Sequence, residues 1–198
     1  MLKVGLTGGI ASGKSEATRI FANQQAPIID ADQVAHDVLS HNPHIKQKII
    51  ARFGSEILDE NENIKRRAVR NIIFNDINEK HFIENLLHPI IIGNMQHFIN
   101  SLNEKNNIEY CIVVIPLLFE TNCQKFIDKV IVIDAPVDVQ LERVTSRDNI
   151  TTQQAKNIIN YQMSREQRLQ YADYTIFNNS DLIDLQNDIF ELDKIFRI

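Results

Sequence analysis

A glycine-rich segment near the start of the chain has the residue types and spacing of a phosphate-binding loop. The pattern G-x-x-x-x-G-K-[ST] is filled by Gly8, Gly9, Ile10, Ala11, Ser12, Gly13, Lys14 and Ser15. Glycines let such a loop wrap until successive N–H groups face phosphate oxygens, and the helix that follows adds its partial positive charge. Lys14 is then placed for the β- and γ-phosphates, and the Ser15 hydroxyl for Mg²⁺. An apolar strand precedes the loop and an amphipathic helix follows it, so we predict a site for a nucleoside triphosphate.

Other motifs indicate which class of P-loop protein this is. A GTPase switch would carry Asp-x-x-Gly and Asn/Thr-Lys-x-Asp, and the sequence contains neither pattern after the loop. A motor-type ATPase would carry an apolar strand that ends in a carboxylate, as residues 130–134 do. We favour a simpler interpretation, in which Asp134 ends a buried strand and caps the helix that begins near Pro136. A small-molecule kinase is therefore favoured over a nucleotide-dependent switch.

Such a kinase needs a carboxylate near the P-loop, an acceptor pocket and a mobile basic lid. Asp30 and Asp32 follow the second predicted strand, at the edge of the sheet where α/β proteins bind ligands. We expect Asp32 to act on the acceptor hydroxyl and Asp30 to be an ordinary residue at a strand end. Basic residues cluster where a lid would lie: Arg143, Arg147, Lys156, Arg165 and Arg168. The last two arginines could equally form a solvated helix face.

Apolar runs alternate with amphipathic segments, which predicts an α/β fold with a five-stranded parallel sheet flanked by helices. The strands are expected at residues 2–6, 27–30, 108–115, 129–133 and 175–177. The helices outside the central block are expected near residues 14–23, 137–147, 155–161 and 182–195. Thr151 and Gln154 have the spacing of a capping box, which places a helix start there.

Residues 42–107 break this alternation, because their apolar residues recur at helical spacing throughout. We interpret the chain as a single domain, residues 1–198, with its core at 1–41 and 108–198. The helical block at about 42–107 is an insertion that binds the acceptor, and the lid covers about 143–168. We expect Pro89 to bend or end the helix that contains it.

Composition excludes several classes of protein. The 198 residues are 43% apolar and 24% charged, which is typical of a globular domain. The net charge of −5 argues against a nucleic-acid partner. No apolar run approaches the roughly 18–20 residues of a membrane span, and the start of the chain lacks the layout of a signal peptide. The two cysteines, Cys111 and Cys123, have neither disulfide-framework nor metal-ligand spacing, so we expect reduced thiols in a cytosolic protein.

Taken together, these motifs resemble the dephospho-CoA kinase family along the whole chain. The resemblance is carried by residues 6–15, 29–32, 87–89 and 116–120, by Gln140, Arg143, Arg147 and Asp148, and by Gln162, Arg165, Arg168, Ala172, Asp173, Ile176 and Asn178. The P-loop alone is shared by many proteins, but its combination with the Asp-Ala-Asp, Pro-Leu-Leu-Phe-Glu and two-arginine motifs is specific. Two positions depart from the family pattern: Lys65 precedes Arg66 where an aspartate is usual, and Ser180 replaces a glycine.

The resemblance implies a P-loop NTPase fold and ATP-dependent phosphorylation of the ribose 3′-hydroxyl of dephospho-CoA, the last step of coenzyme A synthesis. It implies that Asp32 is the catalytic carboxylate, that Arg143 and Arg147 are lid arginines, and that Asn178 lies near adenine. We also assign Glu16 to the nucleotide site. The expected cofactors are ATP and Mg²⁺, and the expected partner is a small-molecule substrate without nucleic acid or membrane. Another small-metabolite kinase of the same fold is the alternative.

Two further residues of the family motifs are left with two interpretations each. His88 is either an acceptor contact or a partly buried histidine that has its hydrogen bonds satisfied within the protein. Glu120 is either structural or orients water bound to Mg²⁺. The sequence predicts no oligomeric state.

Overall fold

One parallel sheet dominates the computed structural model, which describes residues 1–105, 107–179 and 182–197. Its strands are β1 (Leu2–Gly8), β2 (Ile28–Asp30), β3 (Tyr110–Val114), β4 (Lys129–Asp134) and β5 (Tyr174–Phe177). Their order across the sheet is β2-β3-β1-β4-β5, and every neighbouring pair is parallel. The predicted five-stranded parallel sheet is confirmed. Because β1 is central, the loop that follows it leaves the middle of the edge where all the strands end.

Helices make up most of the remaining chain. They are α1 (Lys14–Asn23), α2 (Ala31–His41), α3 (Pro43–Phe53), α4 (Arg66–Asn75), α5 (Ile77–Asn103), α6 (Val137–Asp148), α7 (Thr152–Asn160), α8 (Arg165–Gln170) and α9 (Leu182–Phe196). Their boundaries follow local chemistry. The Asn42 side chain accepts hydrogen bonds from the first N–H groups of α3, and the predicted capping box of Thr151 and Gln154 begins α7.

The chain divides into two compact units, Met1–Asp30 with Leu102–Ile198, and Ala31–Ser101. In the first unit the inner strands β3 and β4 are almost continuously apolar and buried, as expected for a parallel sheet with helices on both faces. Its core is formed by strand side chains and by α1 and α9; it includes Val4, Leu6, Phe21, Ile112, Ile131, Ile133 and Ile189.

The last helix is tied to the sheet by a polar cluster within this core. The Tyr110 hydroxyl donates a hydrogen bond to the Asp193 carboxylate, and Arg197 Nε donates to the same carboxylate at 2.8 Å. The Phe196 ring lies 5.3 Å from the Tyr110 ring and 5.4 Å from that of Tyr174. Burial and the neighbouring carboxylate raise the pKa of Tyr110, so it remains a hydrogen-bond donor at neutral pH.

The second unit has a core of its own. Its members are apolar residues at helical spacing, namely Val38, Ile45, Ile49, Ile57, Val69, Ile83 and Leu87. Arg52 at the end of α3 donates to both carboxylate oxygens of Glu79 at 2.7 and 2.8 Å, and its guanidinium lies over the Phe82 ring. The unit is helical, as the apolar periodicity predicts.

The expectation that Pro89 ends its helix is wrong, because α5 continues from Ile77 to Asn103, whereas a bend at Pro89 stays a prediction. Proline removes one main-chain hydrogen bond from a helix. Apolar residues are buried on both sides of the proline, at Ile83 and Leu87 before it and at Met95 and Ile99 after it. We infer that their packing outweighs the lost hydrogen bond. Within the described residues, no helix is both long and apolar enough to cross a membrane.

Candidate functional site

The P-loop connects β1 to α1 through a backbone that few residue types allow. Gly13 has a φ of 104°, and a methyl group there would come within 2.0 Å of the Asn178 amide nitrogen. Ala11 has a φ of 55°, in the left-handed region that costs a non-glycine residue roughly 1–3 kcal/mol. Strained backbone of this kind persists only where the surroundings hold it, and they do so here through the peptide groups of the loop.

Lys14 holds the first two carbonyl groups of the loop. Its Nζ donates to Gly8 O and to Gly9 O, both at 2.8 Å. A lysine on a helix N-terminus that reaches back over the loop lies where the β- and γ-phosphates of a nucleotide would bind. To bind those phosphates, the ammonium group exchanges carbonyl oxygens for phosphate oxygens.

Two more side chains hold the middle of the loop. The Asn178 amide donates to Ser12 O at 2.7 Å, and Arg143 Nη1 donates to Ala11 O at 3.4 Å. Carbonyl oxygens carry partial negative charge and would repel a phosphate. Donors that hold them therefore favour a loop with its N–H groups turned towards the anion. The resemblance to the family implies that Asn178 lies near adenine, which stays a prediction, and in the structure its amide contacts the P-loop.

The first turn of α1 supplies further donors. Gly13 is the N-cap residue, and within the described part of the chain no side chain caps this helix. Its first N–H groups are thus suited to an anion. Ser15 is exposed at this end of the helix. The Glu16 carboxylate is bound by Arg19, whose hydrogen bond lowers the pKa of Glu16, so the Glu16 backbone N–H is the group suited to a phosphate.

The two predicted lid arginines lie four residues apart on α6 and differ in their partners. Arg143 is half-buried beside the P-loop, as its bond to Ala11 requires. Arg147 is exposed and donates to both carboxylate oxygens of Asp148, at 2.7 and 2.9 Å. These hydrogen bonds raise the pKa of Arg147. The planar fork of Arg147 is already in the geometry that binds a phosphate.

Asp134 ends the buried strand β4, as predicted, but the prediction that it caps the next helix is wrong. Its side chain is 1% exposed, and both its oxygens accept hydrogen bonds from Arg165, at 2.6 to 3.0 Å. The helix begins at Val137, after Pro136, without a side-chain cap. A buried carboxylate needs a charged partner more than a helix needs a cap, because an unpaired buried charge is far more costly.

Arg165 and Arg168 do not form a solvated face, so that alternative is also wrong. Arg165 is paired with the buried carboxylate, and its pKa is raised by the hydrogen bond with Asp134. Arg168 is only 6% exposed, and burial lowers its pKa. Its guanidinium donates to Met163 O at 2.6 Å.

Three residues that face the loop were not assigned to it from sequence. Gln162 Oε1 accepts the Ile10 N–H at 2.8 Å, and a methyl group on Gly9 would come within 2.5 Å of Gln140 Oε1 and 3.0 Å of Arg168 Nη1. Gln140 is buried and donates to Ala135 O. All three belong to the family motifs, and Arg168 also belongs to the predicted basic cluster, but neither signal indicates a position beside the loop.

The predicted residues outside this cluster are distributed as follows. Asp30 ends β2, paired in register with Val114 at the carboxyl edge of the sheet. Asp32 lies in the first turn of α2, within the second unit, and is exposed. His88 is half-buried on α5, and Arg66 is exposed at the start of α4. Ser180 lies outside the described residues.

The sheet, the P-loop after its central strand and the arginines around the loop define a P-loop kinase. A sequence model of the dephospho-CoA kinase family matches residues 2–184. A dephospho-CoA kinase from Coxiella burnetii is 40% identical over 193 residues, which is 97% of this chain and 95% of that protein. The chain belongs to the dephospho-CoA kinase family, whose members transfer phosphate from ATP to dephospho-CoA in the final step of coenzyme A biosynthesis.

Solved structures agree with this assignment. A dephospho-CoA kinase from Campylobacter jejuni is 30% identical, with a TM-score of 0.74 over 97% of this chain and 95% of its own. TT1252 from Thermus thermophilus has a TM-score of 0.82 over 98% of this chain and 96% of its own. Its sequence identity is 21%, so it supports the fold alone. The predicted family and fold class are confirmed.

Proposed function

We propose that this chain phosphorylates the ribose 3′-hydroxyl of dephospho-CoA with ATP and Mg²⁺, giving coenzyme A and ADP. The observation that carries the proposal is the family match over residues 2–184, because it covers the P-loop, the strand ends and the arginines together. The geometry of the loop independently supports the binding of the nucleotide. A triphosphate is suited by three features of the loop: carbonyl groups that accept hydrogen bonds from side chains, a lysine, and a helix N-terminus without a side-chain cap.

Asp32 is the proposed general base. A ribose hydroxyl is a poor nucleophile, and a carboxylate within hydrogen-bond reach can orient it and accept its proton as the O–P bond forms. One residue separates Asp32 from Asp30, which ends β2 at the carboxyl edge of the sheet. Its place in the Asp-Ala-Asp motif and its exposure to solvent support the assignment over Asp30, which belongs to the strand.

Lys14, Arg143 and Arg147 are the proposed cations for the transferred phosphoryl group. Charge on its oxygens is stabilised best by donors that are in place before the reaction. Lys14 and Arg143 already contact the P-loop, and Arg147 presents a fork bound to Asp148. Residues of about 143–168 form the proposed lid, and the helical insertion of about 42–107 the acceptor-binding part.

The residues at the P-loop fit an Mg²⁺ ion that is held mainly by phosphates and water, with few ligands from the protein. Within the described residues, no group of three or more histidine, cysteine, aspartate or glutamate side chains could hold a metal ion. Mg²⁺ is commonly held by one or two protein oxygens together with substrate phosphates and water. The exposed hydroxyl of Ser15, at the N-terminus of α1, is the proposed protein ligand. Bound there, Mg²⁺ would neutralise charge on the β- and γ-phosphates.

The proposed partner is a small-molecule substrate and not a nucleic acid, in keeping with the net charge of −5. The two cysteines of the described structure, Cys111 and Cys123, are free thiols. Free thiols are typical of the cytoplasm, which is the proposed location.

A coupled ADP-release assay over a panel of acceptors tests the proposal. We expect ADP release to require both Mg²⁺ and dephospho-CoA, and to stay at the background rate with adenosine, AMP or 3′-deoxy dephospho-CoA. The deoxy compound is the matched control, because it lacks only the proposed nucleophile. Equal ADP release with any of these acceptors, or without an acceptor, would contradict the proposal.

A further inference from the structure

The segment Gln162–Arg168 lies against the P-loop, and we refer to it as the clasp. It runs from the residues after α7 into α8. At its first residue, Gln162 Oε1 accepts the Ile10 N–H at 2.8 Å. At its last, the buried Arg168 guanidinium lies beside Gly9, where a methyl group would come within 3.0 Å of Arg168 Nη1. The clasp therefore binds Ile10 of the loop through Gln162 and lies close to Gly9 through Arg168.

The backbone of the clasp is itself fixed at Met163, next to Gln162. The Met163 N–H donates to Glu120 Oε1 at 2.8 Å, and the Met163 carbonyl accepts from Arg168 Nη2 at 2.6 Å. Glu120 is exposed and follows β3 in the chain. The Glu120 carboxylate thus acts on the main chain of the clasp, and through it on the position of Gln162.

The place where Gln162 holds the loop is the one that most needs support. Ile10 immediately precedes Ala11, whose φ of 55° is strained for an alanine. Without a nucleotide, a loop with this strain would otherwise sample other conformations. Ordering it beforehand removes a cost that nucleotide binding would have to meet.

We propose that Gln162 is a positioning residue that orders the P-loop for ATP, and that Glu120 acts through it by fixing Met163. The inference rests on the proposed nucleotide site but not on the identity of the acceptor. It assigns Glu120 the role of a hydrogen-bond acceptor, in place of a role in orienting water on Mg²⁺. The essential feature of Glu120 is then the oxygen that accepts the Met163 N–H.

Three variants test this assignment by titration calorimetry with ATP and by turnover at saturating ATP. Gln162→Ala should raise the Kd for ATP about tenfold, the equivalent of one lost hydrogen bond, and change turnover less than the Kd. Glu120→Ala should raise the Kd by a similar factor. Glu120→Gln keeps an oxygen at the same place and should stay within about twofold of the wild type. Gln170→Ala, which changes an exposed glutamine on α8, is the matched control and should alter neither the Kd for ATP nor turnover.

A double variant and an exchange measurement distinguish positioning from general damage. Gln162→Ala with Glu120→Ala should be no worse than Gln162→Ala alone, because Glu120 acts through Gln162. Amide exchange at Ile10 in the nucleotide-free protein should be faster in Gln162→Ala and in Glu120→Ala, but not in Glu120→Gln. This readout remains valid if a variant is merely less stable, since exchange at Ile112 in the core reports global opening.

The proposal is overturned if Gln162→Ala binds ATP as the wild type does with unchanged exchange at Ile10. It is also overturned if Glu120→Gln is as defective as Glu120→Ala, or if the two alanine effects add. Turnover of dephospho-CoA by the wild-type protein, measured in parallel, tests the proposed function separately. Failure of the Gln162–Glu120 proposal is therefore distinguishable from failure of the proposed function.

Discussion

At the scale of single residues, Asp32 separates acceptor chemistry from nucleotide binding. Asp32→Asn is nearly isosteric and still forms hydrogen bonds, but it cannot accept a proton. We expect turnover to fall by about 10²–10⁴, the usual contribution of a general base. The Kd for ATP should change little, because the loop is held by other side chains, among them Lys14, Asn178 and Gln162.

Calorimetry with ATP and turnover of dephospho-CoA, on one preparation, check this prediction. Asp30→Asn is the matched control, and it should lose far less activity. A normal rate in Asp32→Asn would remove this residue from the mechanism. Loss of Mg²⁺–ATP affinity instead would make Asp32 part of the metal environment.

At the scale of elements, α6 presents two arginines that differ in burial but should act on one phosphate group. Replacing either Arg143 or Arg147 with lysine keeps the charge and removes the planar fork. We expect each change to lower turnover by at least tenfold while the Kd for ATP changes less than threefold, on the general scale of lost bidentate contacts. Asp148→Asn, which removes the present partner of Arg147, should keep most of the activity.

Turnover of dephospho-CoA and the Kd for ATP, measured for Arg143→Lys, Arg147→Lys and Asp148→Asn, test this prediction. If both lysine variants retain full turnover, the arginines are ordinary surface charges and α6 is not part of a lid.

The attachment of α9 to the sheet gives a prediction about stability. Tyr110→Phe removes the hydroxyl that donates to Asp193 and leaves that carboxylate with Arg197 as its described partner. We expect the free energy of unfolding to fall by about 1–3 kcal/mol, the range for a buried hydrogen bond to a charged group. Urea unfolding of Tyr110→Phe and of Tyr171→Phe, whose residue is 61% exposed, measures it. Equal midpoints for the two variants would show that the buried hydrogen bond contributes nothing.

Elements also show what can be predicted from the sequence and what cannot. The strands and the P-loop were predictable because their signals are local: continuous apolar runs, and glycines at fixed spacing before a lysine. The continuation of α5 through Pro89 and the pairing of Asp134 with Arg165 could not be predicted, because each depends on contacts with distant residues. Asp134 is bound by Arg165, 31 positions away, and no local pattern reveals that pairing. For the same reason, the contact of Gln162 with Ile10 could be found only in the structure.

At the scale of the whole molecule, binding at the P-loop should stabilise the fold by mass action. A ligand present at 100 times its Kd stabilises a protein by about 2.7 kcal/mol. We therefore expect the thermal midpoint of the wild type to rise with ATP concentration, and that of Lys14→Ala to rise much less. Lys194→Ala, whose side chain is 68% exposed on α9, is the control and should respond as the wild type does.

Scanning calorimetry across a series of ATP concentrations provides these midpoints. An equal rise in folded Lys14→Ala would mean that the nucleotide binds elsewhere, and the assignment of the P-loop would be lost.

The position of the transferred phosphate in the product tests the proposed reaction most directly. Phosphorus and proton NMR of dephospho-CoA incubated with the protein, ATP and Mg²⁺ reports both the new phosphomonoester and the ribose proton coupled to it. We predict one new phosphomonoester coupled to the 3′-proton, formed in equal amount to ADP. A new phosphomonoester coupled to any other proton, or ADP formed without a new phosphomonoester, would contradict the proposed function.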